Sequence, residues 1–515
     1  MKRKRNLKLI LALALLVQLA ACGGEPEVVT PAPTLTSTPT PATDGKGLDF
    51  VLPCYPAGGF HPITGSNRLN LTLAPLLYRG LFSLDSGFTP QNDLCESYTV
   101  SEDGLTWTFT LKEAAFSDGT ALTAAEVIAS LNKARQSDRY SSRLADLTKV
   151  GVGEGGAVTV TLSRPNGALP SLLDVPVVKE SGDPLRPLGT GPYFLSESEE
   201  TGELVLTARE GEQVPLTQIP LRSVSTGDDL VYAFDAREIS LVDVDLNSTN
   251  ALGYSGRMET TDYPTTTLLY LGFNMKNGLC RENSLRRALS LAFDRETMVE
   301  RIFAGHGEAA ALPIHPNSSL YDAGVATQAL WNEEEAVRLL ENAGWRLEED
   351  GIRENRRSRL ALKLIVNQEN TAKAALADAL AESLQRLGCD VTVDKLPWED
   401  FSAALNRGSF DLYLGETVLT ADFDLEDLLR TRGALNYGGC ADGELDAWMD
   451  AYRAAAGEER QAAASTLWEQ VTQVAPMVPL VFKNGSLLTQ WGQVRGMAPT
   501  QRDVFFGLEG WQIVE

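Results

Sequence analysis

Residues 105–111 (LTWTFTL) alternate apolar Leu, Trp, Phe and Leu with Thr, the period-two pattern of a strand with one buried face. Residues 158–162 (VTVTL) repeat it. Between them FSDGT at 116–120 predicts a turn, with Asp118-Gly119 supplying the reversal. Thr123 then predicts a helix start, with Glu126 closing a capping box and Val127, Ile128 and Leu131 on the apolar face. In the second half, strands and helices alternate. Asn332 and Glu335 predict another capping box, Ala336, Leu339 and Leu340 the apolar stripe behind it, and Gly344 its stop. Residues 360–366 read as a strand, 371–387 as a helix, 390–396 as a strand, 398–406 as a short helix and 410–414 as a strand. Helices follow near 443–456 and 458–471. This rhythm predicts an α/β fold whose sheet is largely parallel and covered by helices. No internal repeat is evident.

The N-terminus breaks the pattern. Residues 9–21 are apolar except for Gln18, and Lys2, Arg3, Lys4, Arg5 and Lys8 precede them. The run is too short to span a bilayer, which takes about 20 apolar residues. A basic region, a short apolar region and small residues mark a secretory signal at 1–21. Leu19-Ala20-Ala21-Cys22 resembles the bacterial lipobox, which implies cleavage before Cys22 and acylation of its thiol. Residues 22–47 are rich in Pro and Thr and nearly empty of large apolar side chains. Such a segment cannot bury enough surface to offset its ordering entropy. Proline stiffens it toward an extended tether, at about 3.1 Å per residue.

Charge narrows the partners. The chain of 515 residues stands at -24. Removing residues 1–21, with five basic side chains and no acid, leaves -29. That balance argues against nucleic acid and against polybasic binding to anionic lipid, so attachment must come from the lipid on Cys22. With Cys22 acylated, Cys54, Cys95, Cys280, Cys389 and Cys440 remain, an odd set with no CxxC pair and no pairing legible from spacing. No structural zinc site is expected. Only His61, His306 and His315 are present, in no metalloprotease spacing. GxSxG, Walker and dinucleotide motifs are absent as well. Neither an enzyme nor a cofactor or resident metal is expected.

Several stretches occur in an order shared with a known family. They are Leu77-Tyr78-Arg79-Gly80-Leu81, with residues 101–109 (SEDGLTWTF); residues 116–124 (FSDGTALTA); and Gly189-Thr190-Gly191-Pro192-Tyr193. Next come Asn274 with residues 285–289 (LRRAL) and 292–295 (AFDR), then residues 333–345 (EEEAVRLLENAGW) and 475–480 (APMVPL). From residue 77 onward the chain resembles the extracytoplasmic solute-binding proteins of peptide ABC importers, family 5. The resemblance implies a two-lobed, periplasmic-binding-protein-like type II fold with an extra insert domain, mixed sheets flanked by helices, and ligand in the interlobe cleft. Lobe I would comprise 48–66, 184–262 and 488–515, the insert 67–183, and lobe II 263–487. Most of the shared residues read as structural. Gly189 and Gly191 suit a tight turn, Trp107 and Phe116 a core, and Arg286 and Arg295 local pairing or solvent.

Among oligopeptide binders of that family, the ligand's amino group pairs with an aspartate soon after a lobe II strand. The pattern there is Phe-Asp and then Ala-Asp-aromatic. Here the chain reads Phe410-Asp411-Leu412-Tyr413 and then Thr420-Ala421-Asp422-Phe423, which implies Asp422 as the amine ligand. A peptide ammonium taken into a closed cleft needs a carboxylate partner. Asp422 or Asp424 also suits the cap of a short helix at 425–430, with Asp427 in its acidic first turn. Trp398, Asn436 and Tyr437 are weaker pocket candidates, since they flank lobe II strands. A proline common after the aspartate is absent, and so is a Tyr-Trp stretch after residue 193. The resemblance thus implies a monomeric, lipid-anchored receptor outside the cytoplasm that feeds peptides to a permease and its ATPase. The tether favours a single-membrane cell. On the same fold the alternatives are nickel chelate, haem or sugar as ligand, or peptide sensing without transport.

Overall fold

The computed structural model describes residues 49–356 and 358–514. Cys22, the signal and the tether lie outside them. The alternating stretches become the antiparallel strands Thr106–Leu111 and Val158–Leu162, flanked by Cys95–Val100 and Leu147–Val152 in a four-stranded sheet. Trp107, Phe109, Val158 and Val160 face inward and are buried. The capping box at Thr123 and Glu126 is complete, and the helix Ala124–Ala134 buries Val127 and Leu131 against this sheet. Phe116 is buried as expected.

A second four-stranded sheet runs in the order Leu52–Cys54, Gln218–Ser223, Leu204–Ala208, Tyr193–Glu197. Its Leu52, Leu206 and Tyr193 share one hydrophobic core with Trp107 and Phe109 of the first sheet and with Phe505 and Trp511 near the C-terminus. Gly189 and Gly191 serve close packing rather than the expected tight turn. A Cβ on Gly189 would lie 2.0 Å from the Leu77 carbonyl oxygen, and one on Gly191 would lie 2.4 Å from the Leu77 carbonyl carbon.

The third sheet has seven strands, ordered Leu241–Val244, Met477–Gln490, Met258–Phe273, Leu412–Val418, Ala361–Asn367, Asp390–Leu396, with Gly307–Ala309 beside Met477–Gln490. The expectation of a largely parallel sheet is corrected. Only Ala361–Asn367 pairs in parallel, with Asp390–Leu396 and Leu412–Val418. The remaining ladders are antiparallel because two long strands, Met258–Phe273 and Met477–Gln490, run against each other. Their register shifts between Pro264 and Leu268, where a proline cannot donate to the ladder. The strand expected at 410–414 is Leu412–Val418 instead. Asp411 precedes it, accepting from the Lys363 N–H with its carboxylate and from the Asn274 N–H with its carbonyl. Helices cover both faces with separate cores, one around Trp468 and Phe482, the other around Trp345 and Phe293.

The second capping box is half made. Asn332 accepts from the Glu335 N–H at 3.0 Å, but the Glu335 carboxylate turns to Arg338 three residues on. Arg286 and Arg295 are also corrected, being neither solvated nor locally paired with acids. Both are buried and spend their donors on backbone carbonyls, among them Ala475 and Val474 for Arg286, and Pro479 and Ala329 for Arg295.

Asp503, beside a cavity of about 400 Å³ lined by Tyr78, Phe82, Tyr140 and Phe505, is pushed up to about 7, chiefly by burial. The Phe505 N–H that it accepts works against the rise, while Asp93 and Glu509 add to it. A carboxyl raised in this way lends stability below its unfolded value near 4 and loses it as pH climbs through 7. Asp503→Asn keeps the acceptor and removes the charge. Thermal unfolding is expected to show it more stable than the parent by about 1–2 kcal/mol at pH 8, with the gap closing near pH 4.

Candidate functional site

The strand Leu412–Val418 delivers the chain to the site. Beyond Val418 the ladder ends with two bonds, from the Leu419 N–H to the Thr266 carbonyl and from the Thr266 hydroxyl to the Leu419 carbonyl. The chain then turns at Thr420–Phe423, closed by the Phe423 N–H on the Thr420 carbonyl. Phe423 sits at φ 53, in the left-handed region that costs a non-glycine residue about 1 kcal/mol or more. Burial of its ring against Phe88, edge-on at 5.3 Å, holds it there. The Asp422 carbonyl accepts from the Tyr452 hydroxyl at 2.6 Å and from Arg460 at 3.1 Å, which fixes the turn from behind.

This places the Asp422 side chain, 4% exposed, in the wall of a cavity of about 400 Å³. Thr417 to Thr420, Asp422 and Asp424 line one side, and Arg143, Asp146 and Arg164 the other. The carboxylate of Asp422 is met by two neutral donors, the Thr420 hydroxyl and the Asn166 amide at 3.3 Å. No ion pair to it exists among the described residues. Its neighbours differ. Asp424 pairs with Arg453 at 2.8 Å and also accepts from the Glu426 N–H at 2.8 Å. Glu426 takes both prongs of Arg164, together with Arg453 and Arg430, each of these last two at 2.8 Å. Arg453 and Arg164 both reach Asp146 as well. Three acids meet three arginines in this web, Asp422 adds a further acid beside it, and the field shows in Asp424. Burial first, and the charge of Asp422 second, push it up to about 6.

The two readings of the 422–424 segment therefore divide between its aspartates. Asp424 accepts the Glu426 N–H just ahead of the Glu426–Leu429 helix, whose N-cap position is Leu425, and Asp422 is left facing the cavity. The structure does not bring Trp398, Asn436 or Tyr437 there. Trp398 is 59% exposed at the start of its own helix, tied by its N–H to Glu369 and packed on Phe401. Asn436 spends its amide on the Arg430 and Cys440 carbonyls, clamping a loop, and Tyr437 packs edge-on against Tyr413. Asn166, Arg164, Asp146 and Arg453 went unforeseen. The one local sign was Arg164-Pro165-Asn166-Gly167, a turn sequence just after a strand.

The histidines are engaged separately. His61 lies near Lys133 and Glu180, and His306 meets Asp262 at 2.8 Å. His315 is buried between Phe88 and Phe482 and pushed down to about 4 by that burial. Among the described residues no cluster of His, Cys, Asp or Glu is arranged to hold a metal ion. Cys54, Cys95, Cys280, Cys389 and Cys440 are buried free thiols, and no described helix is long and apolar enough to cross a membrane.

Residues 89–433 match the profile of the bacterial extracellular solute-binding proteins, family 5 Middle. The oligopeptide-binding protein AppA of Bacillus subtilis is 22% identical over 521 residues, covering 95% of each chain. The structure of that AppA in complex with a nonapeptide superposes with a TM-score of 0.60 at 20% identity, covering 91% of this chain and 99% of that one. NikA from Brucella suis, in complex with Fe(III)-EDTA, gives 0.69 at 22% identity, over 91% and 100%.

Proposed function

The chain belongs to the bacterial extracellular solute-binding proteins of family 5, and from that premise we propose that it binds peptides by their free amino end beside Asp422 and hands them to the permease of an ABC importer. Proteins of this family bind solutes and do not transform them. The carrying observation is the Asp422 carboxylate, 4% exposed in a cavity and met, among the described residues, by a hydroxyl and an amide. A buried carboxylate without a counter-charge is unfavourable, and a ligand ammonium supplies that charge. Beside it the strand end at 417–420 offers main chain to an extended peptide, a mode of holding indifferent to side chains. In this reading residues 48–66, 184–262 and 488–515 with the insert 67–183 form one jaw, and 263–487 the other. The core that the two four-stranded sheets share supports that division, with Tyr263 and Leu487 reaching into it from the seven-stranded sheet and Leu84 and Phe88 of the insert packing into the core around Phe482.

Calorimetry with tri-alanine and N-acetyl-tri-alanine tests the amine role, with nickel–histidine as the control for the metal-chelate alternative. Tight binding of the free amine with loss on acetylation is expected. Equal binding of both peptides, or heat from nickel–histidine alone, would remove the amine reading.

The anchor is proposed on Cys22 after the signal 1–21, with 22–47 as the tether. The receptor works as a monomer in this reading and is held near its permease and ATPase. Cys22→Ser is expected to move the protein from the membrane pellet to the medium or periplasmic fraction while its thermal unfolding stays unchanged. Retention of the unlipidated chain in the pellet would contradict the anchor.

A further inference from the structure

The wall of the Asp422 cavity carries more negative charge than its arginines and one ligand ammonium neutralise. Five acids line it: Asp146, Asp422, Asp424, Glu426 and Asp427. Three arginines line it with them: Arg143, Arg164 and Arg453. Arg143 is engaged elsewhere. Its guanidinium pairs at 2.6 Å with Asp174, which is not part of the lining, and stacks over the Tyr140 ring at 4.6 Å. Arg164 and Arg453 remain, and Arg430 joins them at Glu426 from outside the lining. These three hold Asp146, Asp424 and Glu426. Asp422 and Asp427 are left with no arginine among the described residues. One peptide ammonium neutralises one of the two.

The two unpaired acids differ in setting. Asp422 is 4% exposed, and its carboxylate suits the ammonium that enters the cavity. Asp427 is exposed to water. It shares the lining with an apolar stretch made of Val418, 61% exposed at the end of its strand, Leu428 and Leu435. An alkyl stem that ends in a cation fits this combination. Lysine and arginine lay their methylenes along apolar surface and keep the charged head in water. The main chain at 417–420 is indifferent to ligand side chains, whereas this part of the wall is not. The excess charge is felt within the cavity as well. Asp424, although paired with Arg453, is raised first by burial and then by Asp422.

We propose that the cavity selects peptides with a basic side chain on one of their first two residues, with Asp427 as the residue that reads this second charge. Both charges must meet one cavity of about 400 Å³, which ties the basic side chain to the amino end of the ligand. The proposal rests on the reading of the Asp422 cavity as the ligand site.

Titration calorimetry at low salt compares Lys-Ala-Ala, Ala-Lys-Ala and Ala-Ala-Lys with the same peptides carrying norleucine in place of lysine. Norleucine keeps the stem and drops the charge. At the first or second position lysine is expected to bind about fivefold tighter than norleucine, the upper end for an exposed ion pair, and at the third position no tighter. Asp427→Asn is expected to bring that ratio to within about twofold. Glu349→Gln, which removes an exposed acid outside the lining, is expected to leave it in place. That variant separates Asp427 from the general attraction of an acidic body for cations.

Equal affinity of each lysine peptide and its norleucine counterpart in the parent would overturn the proposal. So would a lysine advantage that survives Asp427→Asn, or one confined to the third position. N-acetylated peptides keep this inference apart from the amine reading. If acetylation leaves affinity unchanged and the lysine advantage persists, the basic side chain is read and the amine reading falls. If acetylation abolishes binding and lysine has no advantage, the amine reading stands and this proposal falls.

Discussion

Asp422→Asn is expected to raise the Kd for tri-alanine by roughly 30- to 700-fold, equivalent to about 2–4 kcal/mol, and to change that for N-acetyl-tri-alanine less than threefold. The size follows from what the substitution leaves behind. The ammonium would be drawn into a cavity where Asp424, Glu426 and Asp146 are already engaged by Arg453 and Arg164. The one other lining acid, Asp427, is exposed to water, so the bound charge would lose a desolvated partner rather than exchange it. An acetylated peptide brings no charge and has nothing to lose. The same pair sets the pH response. Asp424 is held up to about 6, by burial and by Asp422, and takes a proton below that value. A bound ammonium favours its ionised form, so parent affinity should fall as pH drops through 6 and level off above it. Titration calorimetry at pH 5 and 7.5 checks both statements. Equal losses for the free and acetylated peptides would show that Asp422 shapes the cavity without reading the amine.

Much of this arrangement is visible along the chain, and the gaps have a physical cause. Where a strand has one buried face the pattern is legible. The structure gives Val158–Leu162 and Asp390–Leu396 with the expected bounds, and Thr106–Leu111 starts one residue later than expected. Met477–Gln490 is buried at every position, so it carries no alternation to read, and Met258–Phe273 hides behind Pro264. Missing those two strands made the sheet look parallel. The site divides in the same way. Asp422 stands in a local pattern, but Asn166, which orients it, lies 256 residues away. Nothing in the periodicity of a loop such as Arg164–Gly167 names the partner that tertiary packing brings to it. The aspartates at 422 and 424 looked interchangeable as caps because the deciding contacts, Arg453 on Asp424 and Asn166 on Asp422, come from distant segments. Arg295 reads as locally paired or solvent-facing for a related reason. Its partners are carbonyls, and any stretch of sequence has those.

Arg295→Met is expected to destabilise the protein by about 3–5 kcal/mol in urea unfolding, and Arg295→Lys by roughly half as much. Replacement of a buried ion pair by apolar side chains is often neutral, because both charges leave together. Arg295 has no acid partner to leave with it. It is 5% exposed and held down to about 10 by burial, and its Nε donates to the Pro479 carbonyl at 2.8 Å. The two Nη atoms reach Ala329 at 3.0 Å and Ser290 at 3.4 Å. These carbonyls belong to the long strand Met477–Gln490, to the loop before the Glu333–Asn342 helix and to the end of the Asn283–Ser290 helix. Methionine is of similar size and takes the guanidinium donors away from all three acceptors. Each orphaned acceptor costs about 1–3 kcal/mol, which outweighs the relief from burying one fewer charge. Lysine keeps the charge but not the fork, so it satisfies some of the three. A loss under 1 kcal/mol for the methionine variant would mean that burial of the guanidinium offsets its hydrogen bonds, and that packing alone joins these three elements.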